Sequence, residues 1–239
     1  MSKKIEWCDK TINPISGCFN GCPFCYAKGF AYRQAGMERN HPGSTGYPTT
    51  GDPFRPTFHP DKIRQILNLG GRPKRIFLDS MADWFSPGVE LEWIRQVIDA
   101  VKRKPEHTFL VLTKRPDRIG EMLDGIDVPG NLWLGTSITT QGDLERVEWL
   151  KKQVSGHRFL SIEPLHGPID AKLEGIDWVI VGAETGRRKG KIKPKPEWVE
   201  AIRGEAERLG IPLFLKNNIR QYLPPGCGHP QQFPLMEAV

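Results

Sequence analysis

The chain has 239 residues, which allows one domain of barrel or open-sheet type or at most two small ones. Its 38% apolar content is enough for a sizeable core. No run approaches the length of a membrane-spanning helix, and no apolar stretch follows Met1-Ser2-Lys3-Lys4, so a cytoplasmic protein without a signal peptide is expected. The net charge of +6 is local: of the 34 Lys and Arg, six (Arg187, Arg188, Lys189, Lys191, Lys193 and Lys195) fall within nine positions free of acids, and the remaining 28 equal the 28 Asp and Glu. That excludes a generally cationic surface.

In chain order, a short extended segment over 11–15 leads into a loop, 16–27, containing Cys18-Phe19-Asn20-Gly21-Cys22-Pro23-Phe24-Cys25-Tyr26. Residues 36–59 are rich in Gly, Pro, Thr and His and lack periodicity; a loop this long in a compact domain suits a lid or binding loop, here over the cysteines. Helical patterns follow at 60–69, 91–103, 117–123, 143–154 and 196–209. The last begins with Pro196 and stops at Gly210. Between them lie short apolar runs at 75–80, 108–113, 132–137, 158–163, 178–182 and 212–216. Such runs, alternating with helices, predict parallel strands buried on both faces. Six to seven strands are too few for a closed eight-stranded barrel, so the expectation is a single α/β domain over 1–239, a partial, open parallel βα barrel.

The cysteines carry the sharpest signal. Three thiolates on one loop can hold three irons of a 4Fe–4S cube, which leaves the fourth iron open to a ligand. Zinc prefers four ligands in paired short spacings, and Cys8 and Cys227 are isolated. A disulfide framework suits small secreted chains. Polar residues recur where the strands should end: Asp79, Ser80 and Asp83; Thr113, Lys114 and Arg115; Thr136 and Ser137; Glu163; Gly182 and Glu184; Lys216 and Asn218. In βα barrels that rim carries the ligand sites. Individually these residues can equally be helix caps or salt-bridge partners.

The basic loop, 186–196, follows the sixth strand and is stiffened by Pro194 and Pro196. Six cations can neutralise several phosphates of DNA or RNA; a solvated charged loop is the plain alternative. Trp84, Phe85 and Tyr47 are either base-stacking aromatics or core. Cys227 is either a hydrogen-atom donor or an inert thiol.

The cysteine spacing, with the aromatic Phe24 before Cys25, resembles the radical S-adenosylmethionine (radical SAM) superfamily, and spore photoproduct lyase has the same spacing. The segments Trp7–Pro14, Leu112–Pro116, Leu160–Leu165 and Asp177–Gly186 resemble a phage- and prophage-associated family of unknown function within it. The resemblance covers about residues 7–216. It implies the radical SAM-type partial barrel, with a 4Fe–4S cluster on Cys18, Cys22 and Cys25 and SAM as cofactors. It also implies a reducing partner such as flavodoxin or ferredoxin.

SAM would then need an acceptor for its ammonium (Asp79, Ser80 or Asp83) and donors for its carboxylate (Lys114, Arg115 or Ser137). It would also need an acid for its ribose (Glu163 or Glu184) and close backbone approach at Gly182. The superfamily's Gly-Gly-Glu-Pro run is replaced here by Asp79-Ser80-Met81-Ala82-Asp83, and the family's usual threonine by Cys8. The implied activity is reductive SAM cleavage to a 5′-deoxyadenosyl radical acting on DNA or RNA. Two alternatives remain: a nucleotide or peptide substrate, or a non-catalytic nucleic-acid-binding protein whose structural cluster takes a fourth ligand such as Cys8 or His229.

Overall fold

The computed structural model describes residues 5–170, 172–186, 189–224 and 226–235. In chain order the elements are β1 (Lys10–Ile12), β2 (Ile15–Ser16), α1 (Tyr26–Asn40), β3 (Thr57–Phe58) and α2 (Ile63–Leu67). They continue with β4 (Arg75–Leu78), α3 (Leu91–Lys102), β5 (Thr108–Thr113), α4 (Ile119–Met122), β6 (Leu132–Ile138) and α5 (Glu145–Gln153). The last are β7 (Arg158–Ile162), β8 (Trp178–Val181), α6 (Pro196–Leu209) and β9 (Leu213–Leu215). Seven strands form one sheet in the order β1-β4-β5-β6-β7-β8-β9. The pairings β1/β4, β4/β5, β6/β7, β7/β8 and β8/β9 are parallel. The first and last strands in that order are not paired, so the sheet is open, as the partial-barrel expectation requires. Every residue of β6 and of β8 is buried, the signature of strands covered on both faces.

The chain divides into two compact units. Among the described residues, one takes in those up to Trp7, Leu112–Gly120 and those from Trp133 onward; the other takes in Cys8–Val111 and Glu121–Leu132. The first is built on aromatic packing. Trp178 is fully buried and lies 6.1 Å from Trp7, 6.0 Å from Phe159 and 5.9 Å from Phe233, centroid to centroid. Its indole N–H, which would be costly to bury unpaired, donates to the Gln232 carbonyl at 3.0 Å. The second unit buries the stripe Ile94, Val97, Ile98 and Val101 of α3, spaced as one helical face, together with Ile12, Ile76, Leu78 and Phe109.

Local breaks depart from the expected boundaries for physical reasons. The extended segment at 11–15 is interrupted at Asn13-Pro14: β1 ends at Ile12, and Ile15 pairs instead with Phe58 in a short antiparallel ribbon. The helix expected over 60–69 is a 3-10 turn, Pro60–Lys62, running into α2. The helix expected over 117–123 likewise begins as a 3-10 turn, Pro116–Arg118. The predicted lid, 36–59, is partly regular, because α1 runs on to Asn40 and 57–58 form β3. The remaining irregular stretch is tied to α1 by Glu38, whose carboxylate accepts the Thr45 and Gly46 N–H groups at 2.6 and 2.9 Å. Those backbone donors, with that of Gly43, hold its pKa down to about 2. No helix among the described residues is long and apolar enough to cross a membrane.

Candidate functional site

The cysteine loop lies in the unit that begins at Cys8, between β2 and α1. Three contacts hold it against the segment that follows β4. The Gly17 N–H donates to the Met81 carbonyl at 2.8 Å. The Phe19 N–H donates to Ser86 Oγ at 2.9 Å, and Asn20 Nδ2 donates to Asp83 Oδ2 at 2.7 Å. Gly17 is required where it sits. Its φ of +83° is left-handed, and a Cβ would lie 2.5 Å from the Phe54 carbonyl oxygen and closer still to that of Arg55. Cys25 caps α1, and its N–H reaches the Cys22 carbonyl at 3.2 Å.

Cys18, Cys22 and Cys25 are free and half-buried. Cys18 and Cys25 pack on a small apolar cluster of Ala27, Ala31, Phe54 and Met81. Burial pushes the Cys18 thiol up to about 11, and the charges of Asp83, Cys25 and Cys22 add to the shift. Metal binding here must therefore displace a proton at neutral pH. A cube's ligands bind different irons and need not converge on one point. Among the described residues no three His, Cys, Asp or Glu side chains converge to hold a single ion. Three thiols on one braced loop, beside an apolar wall, fit the three-cysteine donor set of a 4Fe–4S cluster. Cys8 is buried in the core. Cys227 is half-buried in a C-terminal turn closed by its N–H to the Pro224 carbonyl.

The residues after β4 are more occupied than the sequence suggests. Asp79 is buried in the left-handed conformation, φ +53°. Both carboxylate oxygens accept at 2.6 Å, Oδ1 from the Ile15 N–H and Oδ2 from the Trp84 indole. Burial nevertheless raises its pKa to about 8, against those two donors. Ser80 Oγ and its N–H lie 3.1 and 2.9 Å from Asn13 Oδ1, and the Ser80 carbonyl accepts the Tyr26 hydroxyl at 2.7 Å. Asp83, 3% exposed, accepts from Phe85 N–H as well as from Asn20. Trp84 and Phe85 are wholly buried, so they are core and not stacking platforms. Tyr47 is half-buried against Phe30 and His59.

In the other unit the candidates sit at the ends of β5 to β9. Arg115 Nε lies 3.6 Å from Asp117 Oδ1, and Lys114 beside it is half-buried. Ser137 is buried, and its carbonyl accepts Arg146 Nη1 at 3.0 Å. Glu163 is ion-paired with Lys216. Gly182 makes room for that pair: a Cβ would lie 2.8 Å from Lys216 Cδ and 3.0 Å from Glu163 Cδ. Glu184 is buried and meets His166 Nε2 at 3.0 Å. Asn218 brackets Ala183, accepting its N–H at 3.1 Å and donating to its carbonyl at 2.7 Å. In the basic loop Lys189, Lys193 and Lys195 are exposed, Lys191 is half-buried, and buried Pro194 anchors them. Arg187 and Arg188 lie outside the described residues. Sequence reasoning missed Asn13, Asn20, Ser86 and His166, whose partners are distant in the chain. Only the position of Asn20 between two cysteines was a signal.

Over residues 2–222 the chain matches the family model described as "Protein of unknown function (DUF5131)". No curated protein matches it. Among solved structures it is similar to a spore photoproduct lyase double mutant with bound AdoMet and dinucleoside spore photoproduct. That match has 12% identity and a TM-score of 0.55, and covers 90% of this chain and 76% of the other. A second mutant of the same lyase is 13% identical with a TM-score of 0.53, covering 86% and 75%. At such identity the likeness shows the fold, and it agrees with the open parallel sheet. The three-cysteine loop, the braced segment after β4 and the partial βα barrel thus belong to a member of the DUF5131 family.

Proposed function

We propose that this protein is a radical SAM enzyme. The observation that carries the reading is the braced loop bearing Cys18, Cys22 and Cys25, set at the head of a parallel βα sheet whose fold is similar to that of spore photoproduct lyase. When bound, the reduced cluster supplies one electron to the SAM sulfonium and so a 5′-deoxyadenosyl radical that takes hydrogen from a substrate. The chain's own residues hold and orient. The three cysteines bind iron, and the segment after β4 fixes their loop. Asp79 supports that segment from inside instead of facing a ligand, since both its oxygens are engaged. For SAM the residue proposed in the one unit is Ser80, since both oxygens of Asp83 are engaged as well. In the other they are Lys114, Arg115, Ser137, Glu163, Gly182 and Glu184.

The substrate proposed is a nucleic acid. The cations of the loop at 186–196 can neutralise phosphates, and one solved structure of similar fold holds a dinucleoside spore photoproduct. The test is anaerobic: reconstitute with iron and sulfide, reduce, add SAM and assay 5′-deoxyadenosine by mass spectrometry, with Cys22→Ala as control. 5′-Deoxyadenosine formed only by the intact motif supports the reading. A cluster that neither binds nor cleaves SAM refutes it in favour of a structural or redox cluster.

A further inference from the structure

The segment Asp79–Ser86 grips the cysteine loop with groups that belong to the protein alone. The Met81 carbonyl, Ser86 Oγ and Asp83 Oδ2 take hydrogen bonds from three positions, Gly17, Phe19 and Asn20, that surround Cys18. Within the grip Asp83 is singular. It is a carboxylate, it is 3% exposed, and its two oxygens join the cysteine loop to its own segment through Asn20 Nδ2 and the Phe85 N–H. Asn20 is two residues from Cys18 and two from Cys22. The carboxylate therefore stands one hydrogen bond, of 2.7 Å, from the stretch that joins Cys18 to Cys22. A buried charge is screened far less than one in water, and a cluster's potential responds to nearby charge and hydrogen bonding.

We propose that Asp83 is a positioning residue that fixes the cysteine loop through Asn20, and that its charge beneath the loop lowers the reduction potential of the iron–sulfur cluster held there. The second half rests on the radical SAM reading. The physical reason is Coulombic: adding an electron beside a fixed, poorly screened negative charge costs energy, so the reduced cluster becomes the stronger donor. Cleaving a sulfonium by one-electron reduction calls for such a donor.

The test uses two variants and two readouts. Asp83→Asn removes the charge but keeps the contact, because the Asn20 amide can turn its oxygen toward the new amide nitrogen. Asp83→Ala removes both. In iron-free protein, amide exchange at Gly17 and Phe19 is expected to be slow in the wild type and in Asp83→Asn, and faster in Asp83→Ala. Unchanged exchange in Asp83→Ala overturns the positioning role. Asn20→Ala breaks the same contact from the loop side and keeps this arm readable if an Asp83 variant fails to fold; it too should speed exchange at Phe19, and no change there overturns the role.

In reconstituted protein, redox titration followed by electron paramagnetic resonance should place Asp83→Asn at a more positive midpoint than the wild type. The reduced fraction at a fixed potential should be several-fold higher. Equal midpoints at equal iron content overturn the redox role and leave the enzymatic reading standing. A wild type that takes up no cluster refutes the enzymatic reading and the redox role together, while the exchange arm still decides the positioning role.

Discussion

Asp79 is a buried acid whose charge state should be visible in the stability of the whole fold. Burial raises its pKa from 3.8 to about 8, although the Ile15 N–H and the Trp84 indole both favour the carboxylate. The native state then holds a proton that the unfolded chain has released. Between those two values the native state binds more protons, so stability falls as pH rises. The contribution is fully present below the unfolded value and is lost by the folded one. At about 1.4 kcal/mol per pH unit, the loss between pH 5 and 8 is on the order of 4 kcal/mol, an upper limit.

The perturbation is Asp79→Asn. Asparagine keeps one acceptor, carries no charge and tolerates the left-handed backbone better than other uncharged side chains do. The assay is urea unfolding of metal-free protein at pH 5, 6, 7 and 8. Wild-type stability, taken relative to the variant, should fall by a few kcal/mol across the series. His59 is shifted in the opposite sense, since burial lowers its pKa and its contribution grows with pH. It is present in both proteins and cancels in the difference. A flat difference from pH 5 to 8 would mean that the two donors outweigh burial and that Asp79 is ionised throughout, which refutes the reasoning.

Other expectations are as direct. Gly17→Ala should cost about 3 kcal/mol or more and sharply reduce iron uptake on reconstitution, because its Cβ would strike the backbone carbonyls of Phe54 and Arg55 at a left-handed position; wild-type iron content and melting temperature would contradict it. Trp178→Ala should cost about 3–5 kcal/mol by denaturant unfolding, since a fully buried indole and its hydrogen bond to Gln232 are lost together. If the basic loop binds nucleic acid, the plot of log affinity against log salt should have a slope of roughly −4 on single strands for six neutralised phosphates. Replacing Arg187, Arg188, Lys189, Lys191, Lys193 and Lys195 with Ala should bring that slope close to zero; an unchanged slope places binding elsewhere.

What was legible in the sequence was local. The cysteine spacing lies within eight residues, and the apolar runs that became β4 to β9 lie within single strands. The stop at Gly210 is visible for the same reason: only glycine enters the left-handed cap at φ +67° without cost. These follow from short-range backbone preference and from burial, both written in consecutive residues. The break at Asn13-Pro14 falls inside the extended segment expected over 11–15, although proline has no N–H to give a ladder.

The rest waited for the tertiary structure because it joins distant residues. Asp79 reads as a rim acid, yet it turns inward to Ile15, 64 positions away, once β1 lies beside β4. Asn20 meets Asp83 across 63 positions, and Glu163 meets Lys216 across 53. Gly182 reads as a place of close backbone approach, and the structure adds that the Glu163–Lys216 pair packs against it. Trp84 and Phe85 read as either stacking surfaces or core, and their full burial decides for core. Amino-acid type states what a side chain can donate, accept or bury. Strand order and register decide which partner it meets, and in a parallel sheet each partner arrives only after a crossover of many residues.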